Sequence, residues 1–577
     1  MRARRWIGWL AVMGIVLAGC APAATPTPTT GPKPTVAPGV TPTRTPSPVA
    51  TATRAPAATS TAAPVGPRVG GTIRWPTEQD PPSWDPSKTH VDASTTSKYL
   101  VFTKLFTFWS QPAKSCPTEV YANGIESWRW ADDTTAEFTL RKGMKYQDRP
   151  PVNGREVVAA DMVPSFARYQ KNLAYMASQS NVVESVQATD KYTFRMKLKS
   201  PWGGLVTELF ASNYGVWIEP SEAGGPDGSL WERPEKSWIG SGPFLFDSWQ
   251  PGVKWRFVRN PSYWRPGLPY VEAVEYPIIP DVSTRLAAIS SGQINVVREL
   301  PEQLLAVAEQ RVAGAQVIRC PGPGVRGASF LWMNNSGAPF DNPLVRQAVS
   351  MAIDRQAIVD TIYIGKARIV GALPLATQYS VAPADLPAEV RQYLENNPDR
   401  ARQLLAQAGY PSGFTTAINT TSGYPSPTQQ IAEALSAMLS KVGIRASLNI
   451  MEYGRYTQTV LQAKYPVGEM AMSPRISVTP ETGNSLEAFW SKSGSVNRSV
   501  VNDPEYDKLF QSFRASFDET QRKDLARQLQ VMSVSKAYAL SLPLTDTTLL
   551  TGPGVHVFYT IPGRDISLLM ENIWMEK

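Results

Sequence analysis

Two patterns that divide the chain between them predict a mixed α/β body. The earlier half carries short segments in which apolar and polar residues alternate, as in EFTLR around Phe138 and Leu140, and a period of two lines one face of a strand. The later half repeats a helix signature: Asn or Ser as cap, Pro at the first helical position, an apolar run of helical period, then Gly just past the end. At 577 residues the chain is too long for one hydrophobic core, so its body divides into two or three domains.

The first element in chain order is a targeting segment. MRARR precedes the apolar run WIGWLAVMGIVLA and then Leu17-Ala18-Gly19-Cys20. The run is too short to span a bilayer and suits a signal-peptide core. LAGC resembles a bacterial lipobox, in which small residues fit the signal peptidase and the Cys20 thiol receives a diacylglycerol. An ordinary signal peptide with an incidental Cys is the alternative. No later run is long and apolar enough to cross a membrane.

Residues 21–67 contain no aromatic and almost no large aliphatic side chain, so burial cannot offset their chain entropy. This Pro/Thr/Ala-rich stretch reads as an extended stalk. At about 3.1 Å per residue in polyproline II it reaches on the order of 140 Å.

The formal charge of +8 would suggest a nucleic-acid partner if it lay on one face of the body. It does not, because Arg2, Arg4, Arg5, Lys33, Arg44, Arg54 and Arg68 all precede the first acidic residue, Glu78. Removing these seven from +8 leaves about +1 for the body, so the excess belongs to export and stalk and no nucleic-acid partner is expected. Apart from Cys20 only Cys116 and Cys320 are present. They could pair in an oxidising compartment, or remain two inert buried thiols.

Within the body, GGTIRW reads as a first strand, EFTLR as a strand ending at the Lys142-Gly143 turn, and VEAVEYPIIP as another. Asn342-Pro343 opens an apolar-periodic run through Val345, Ala348, Val349, Ala352 and Ile353 that stops near Gly365. Asn397-Pro398 and Ser426-Pro427 open two more, stopping near Gly409 and Gly443. Between the two regions, the charged stretch from Phe138 to Phe166 poses a choice. Asp148, Glu156 and Asp161 are either carboxylates for acid/base work or turn and cap residues.

Enzyme motifs are sparse. The GxGxxG match, Gly322 to Gly327, is followed by ASFLWMN, a strand pattern, whereas a phosphate cradle needs a helix N-terminus there. There is no GxSxG, HExxH or CxxC, and only two histidines, His90 and His556, are available for a metal site or a Ser/His relay. No cofactor or metal is therefore expected. A carbohydrate-active hydrolase anchored at the cell surface is the second reading, since Trp and carboxylates are plentiful.

Five blocks in order carry a resemblance. SWRWADDTTAEFTLRKGMKYQDRPPVNGREVVAADMV, GSGPFLFDSWQPGVKWRFVRNPSYW, IIPDVSTRLAAISSGQINVV, FDNPLVRQAVSMAIDRQAIV and PDRARQLLAQAGYPSGF resemble the successive signature blocks of family 5 extracellular solute-binding proteins, the receptors of oligopeptide, dipeptide and nickel ABC importers. The resemblance covers almost everything after the stalk. It implies a type 2 periplasmic-binding-protein fold, with two lobes, a cleft between them and an inserted extra domain. The implied segments are a signal peptide at 1–20, the stalk at 21–67, lobe I at 68–110 with 239–335 and 541–577, the inserted domain at 111–238, and lobe II at 336–540. A crossing strand is implied near Phe330–Asn334. Asp148, Glu156 and Asp161 then become scaffolding. Val158 stands where the family has a capping Thr, so the next helix is expected to start later, with Asp161 as its cap.

The resemblance also implies a function: a monomeric, lipid-anchored extracytoplasmic receptor, in a periplasm or on an outer face, that closes its lobes on a solute and delivers it to a permease and ATPase complex without chemistry. The implied ligand-binding residues are Trp84, Ser241, Trp332, Asn334, Met472 and Arg475. Peptide-binding relatives hold the ligand's ammonium with an Asp in the segment corresponding to Met470–Pro480, because a buried cation needs an anion. Here that segment has no carboxylate and offers Arg475 instead, a donor suited to carboxylates, phosphates or sugar hydroxyls. An anionic or hydroxyl-rich solute such as an oligosaccharide is the resulting expectation. Peptide remains open, because Glu469 and Glu481 flank the segment.

Overall fold

The segment GGTIRW forms the strand Thr72–Arg74, which runs parallel to Ala273–Pro277 with Thr72 opposite Ala273. Phe244–Gln250 and Lys254–Arg259 extend the sheet antiparallel. The computed structural model describes residues 66–88, 92–109, 119–172, 180–211, 215–298, 300–320, 330–374, 378–423, 426–473, 482–557 and 567–576. The signal segment with Cys20, the stalk to residue 65, His90, Cys116, the GxGxxG match and Arg475 lie outside these, and only the backbone of Cys320 is described.

A second four-stranded sheet follows the order Ile125–Asp132, Thr135–Leu140, Thr193–Leu198, Val183–Ala188. The alternation read from EFTLR is present: Phe138 and Leu140 are fully buried between half-exposed neighbours. One core serves both sheets, and it includes Trp202, Trp217, Trp238 and Trp255. A three-stranded sheet places Thr547–Thr551 between Val296–Arg298 and Gln316–Cys320. These three sheets make the first body.

The second body is built on a five-stranded sheet in the order Ile444–Met451, Phe414–Thr421, Met470–Ser473, Phe330–Met333, Ala539–Ser541. The first three strands are parallel, and Phe330–Met333 is antiparallel to both its neighbours. Two further cores pack on its faces, drawn from residues 330–542. The chain thus enters the second body between Cys320 and Phe330 and returns between Ser541 and Thr547.

Side-chain caps set several helix starts. The Asn342 side chain accepts from Leu344 N–H ahead of Pro343–Ala352, and Asn397 accepts from Arg400 N–H ahead of Pro398–Gln407. Ser426–Ser440 starts at the Ser426-Pro427 pair, with Ser426 inside the helix, and Gly409 and Gly443, each at φ +89°, follow the latter two helices. The run expected to continue to Gly365 is instead two helices. It breaks at Ile353, and Asp354 caps Arg355–Thr361 by accepting from Ala357 N–H.

The charged stretch is scaffolding. Glu156 bonds Lys191 (2.8 Å), the Gly143 N–H (2.9 Å) and the Tyr192 hydroxyl (3.0 Å), and these partners hold its carboxyl down to about 2. Asp161 differs from the expected cap. A single 3-10 turn, Ala159–Asp161, precedes the helix Met162–Asn172, with extended Val158 at the cap position. The Asp161 carboxylate reaches back to the Val158 N–H (3.0 Å) and to Arg155 (2.6 Å). It stabilises the helix start from its third residue, because Val158 has no side-chain acceptor.

Candidate ligand cleft

Ligands of open α/β sheets bind outside the carboxyl ends of the strands. In the second body that edge is formed by Thr420 and Thr421, Met451 and Ser473, with Phe330 opposite Ser473. Thr420 is buried with no partner for its hydroxyl, and so is Thr428 in the first turn of the helix that follows. A buried hydroxyl left unpaired costs about 1–3 kcal/mol, which a solute or water reaching it would recover. Behind the strand end, Ser473 Oγ accepts from Trp332 Nε1 (2.7 Å) and from Arg498 Nη1 (2.5 Å), with the guanidinium 5.7 Å from the Trp332 ring.

Of the residues expected in the cleft, Trp332, Asn334 and Met472 belong to this sheet or its immediate continuation. All three are buried. Asn334 donates to the Tyr465 carbonyl (3.1 Å) and accepts from Ser336, and the Met472 carbonyl accepts from the Tyr456 hydroxyl (2.9 Å). Trp84 and Ser241 lie in the first body. Trp84 packs edge-on against Trp238, Trp249 and Trp255, with its indole N–H unpartnered. Ser241 donates to the Thr103 hydroxyl (2.8 Å).

The two bodies meet through groups outside every motif described above. The Gly203 N–H donates to the Arg514 carbonyl (2.8 Å), and Asn484 Nδ2 to the Glu208 carbonyl (3.2 Å). The Glu208 carboxylate accepts from Trp202 Nε1 (2.9 Å) and faces Arg522 (3.5 Å). Arg514 lies 3.4 Å from Glu487 and over the Trp202 ring at 5.0 Å. Burial pushes the Glu487 carboxyl up, and Arg514 opposes that shift. The Glu208–Arg522 pair that joins the two bodies spans 314 positions.

Inside the first body, Arg168 bridges Asp85 (2.6 Å) and Glu219 and lies over Trp231 at 3.7 Å. Lys98 Nζ donates to the Pro86 carbonyl (2.8 Å). Burial pulls Lys98 down to about 7, against Glu219 and Asp85. Between that value and the ordinary 10.5 the unfolded state binds the extra proton, so this group's contribution to stability rises with pH across the window 7 to 10.5. Comparing thermal unfolding of the parent with Lys98→Met should therefore show the balance moving toward the parent as pH rises through it. A difference independent of pH would refute the assignment.

Among the described residues no group of three His, Cys, Asp or Glu could hold a metal ion, and no helix is long and apolar enough to cross a membrane. His556 stacks on Trp574 at 3.8 Å and bonds Glu576 (2.7 Å). The cleft offers hydrogen-bonding hydroxyls, aromatic faces and buried guanidinium groups.

Comparison with known proteins fits this geometry. The family described as "Bacterial extracellular solute-binding proteins, family 5 Middle" matches residues 119–497. The glutathione-binding protein GsiB of Escherichia coli O1:K1 is 27% identical over 377 residues, 64% of this chain and 67% of that protein. Heme-binding protein A of Haemophilus influenzae is 26% identical over 477 residues, 76% of this chain and 81% of that protein. The periplasmic binding protein DppA from Helicobacter pylori, solved with the peptide STSA, superposes with a TM-score of 0.73 at 24% identity, covering 88% of this chain and 99% of that one. The fold is the two-lobed type 2 periplasmic-binding fold, and the chain belongs to the family 5 bacterial extracellular solute-binding proteins.

Proposed function

We propose that this protein is the lipid-anchored extracytoplasmic receptor of an ABC importer. It closes its two lobes on an anionic or hydroxyl-rich solute and hands it to the permease without chemistry. Lobe I comprises residues 68–110 with 239–320 and the segment from Thr547 on, the inserted domain 111–238, and lobe II the second body from Phe330 to Ser541, so the boundaries expected at 335/336 and 540/541 shift to either side of that sheet. The observation that carries the substrate reading is the segment Met470–Pro480, which has no carboxylate and offers Arg475. Glu469 stands at the opposite end of that strand, where it accepts from Asn419 (2.7 Å). Glu452, which follows the outermost strand, accepts from the Arg455 N–H to cap its own helix. A guanidinium in this segment is a planar donor suited to carboxylates, phosphates or sugar hydroxyls. GsiB, the glutathione-binding relative, is named for a peptide with two carboxylates and one ammonium, whose net negative charge suits a guanidinium donor. Trp84, Ser241, Trp332, Asn334, Met472 and Arg475 remain the proposed ligand neighbours, with Thr420 and Thr428 added for their free hydroxyls.

The test is native mass spectrometry of the purified body for co-purified ligand, followed by titration with glutathione, unmodified and N-acetylated peptides, and oligosaccharides. Acidic or hydroxyl-rich ligands should bind. Micromolar binding of unmodified peptides that is lost on N-acetylation would overturn the substrate reading. For the anchor, Cys20→Ala should move the protein from the membrane to the soluble fraction. A variant held in the membrane as firmly as the parent would contradict lipidation.

A further inference from the structure

Against the returning strand Ala539–Ser541 lies a cavity of about 10 Å³, bounded by Ser350, Arg355, Trp490 and Ser541 among others. This is room for about one water-sized particle. The chemistry of the walls is one-sided. Arg355 is 2% exposed, and no described carboxylate compensates it, since burial alone acts on its pKa and lowers it to about 10. It is therefore cationic at neutral pH. Its Nε donates to the Ser541 carbonyl (3.1 Å), Nη1 to the Ser350 and Leu394 carbonyls (3.0 and 3.2 Å), and Nη2 to Ser350 Oγ (3.0 Å). A guanidinium has five N–H donors, so one Nη2 proton is left over.

Trp490 is 1% exposed, and its indole N–H has no partner. The Ser541 hydroxyl can supply a third donor. The carbonyls bond Arg355, while the Ser350 and Ser533 hydroxyls donate their protons to the Tyr393 and Leu529 carbonyls and keep lone pairs of their own. A water could bond here, but it would leave the buried charge uncompensated. A monatomic anion needs only donors, and it would offset a buried charge that is otherwise costly.

We propose that the cavity is a halide site, in which one chloride is held by Arg355 Nη2, Trp490 Nε1 and the Ser541 hydroxyl. Phosphate and sulfate are too large for it. The site adjoins the strand that leads out of the second body, so its occupant would brace the point at which the chain turns back toward the first.

Crystals grown in sodium bromide and measured at the bromine absorption edge should show an anomalous peak between Arg355 and Trp490. Ordered water density without anomalous signal would overturn the proposal. In solution, replacing sodium gluconate with sodium chloride at constant ionic strength should raise Tm saturably, by about 2 °C at concentrations well above Kd. Trp490→Phe keeps the ring but removes the donor and should shrink that rise. An equal response to both salts, or an undiminished chloride response in the variant, would also refute the site.

Discussion

Gly203→Ala should weaken ligand binding by about ten- to a hundredfold while leaving the melting temperature of the unliganded protein nearly unchanged. A Cβ on Gly203 would stand 1.9 Å from the Ser516 carbonyl oxygen and 2.9 Å from Arg522 Nη1. The first is a backbone atom, which cannot step aside as a flexible side chain can. Ser516 belongs to the second body and Gly203 to the first, so the clash arises only when the two are together. Overpacking costs about 1–3 kcal/mol, and each 1.4 kcal/mol is about tenfold in affinity. Calorimetry would measure the loss, and small-angle scattering would show the variant failing to compact with ligand. Parent-like affinity and compaction would mean that closure does not use this contact.

Arg355→Met should cost the body on the order of 3–5 kcal/mol of stability, comparable to breaking a buried ion pair. The residue sits at the first turn of its helix and reaches the Ser350, Leu394 and Ser541 carbonyls together. Methionine fills much of the volume but satisfies none of them, and each buried acceptor left without its donor costs about 1–3 kcal/mol. Lysine should rescue little, since a single ammonium cannot span three carbonyls that a planar guanidinium fork reaches. Urea unfolding of the parent, Arg355→Met and Arg355→Lys checks both statements. A loss below about 1 kcal/mol in the methionine variant would show that water replaces the guanidinium at these carbonyls.

Features that depend on a few consecutive residues were legible in the sequence. Asn342-Pro343 and Asn397-Pro398 mark helix starts because the cap acts within three residues, and Phe138 and Leu140 declare a strand face by alternation alone. The break at Ile353 was missed because Ile353 itself fits the apolar period, and the interruption depends on a carboxylate three residues before the N–H it captures. For the cleft, the strand carrying Trp332 could be anticipated, but the partner of its indole, Ser473, lies 141 residues away. The Glu208–Arg522 contact spans 314 positions. Such pairs leave no local signature, since neither member points to its partner until the fold brings the two together.

The strand Thr547–Thr551 occupies the middle of the sheet whose outer strands are Val296–Arg298 and Gln316–Cys320. Everything that builds the second body's sheet, from Phe330 to Ser541, is synthesised before that middle strand exists. As the chain emerges N-terminus first, the second body can finish folding as a unit, while the first waits with an open seam between two unpaired strands. Until residue 551 arrives, those edges are exposed templates for mispairing with other chains. The order of synthesis therefore leaves the first body, though it begins earlier, as the part most dependent on protection by chaperones.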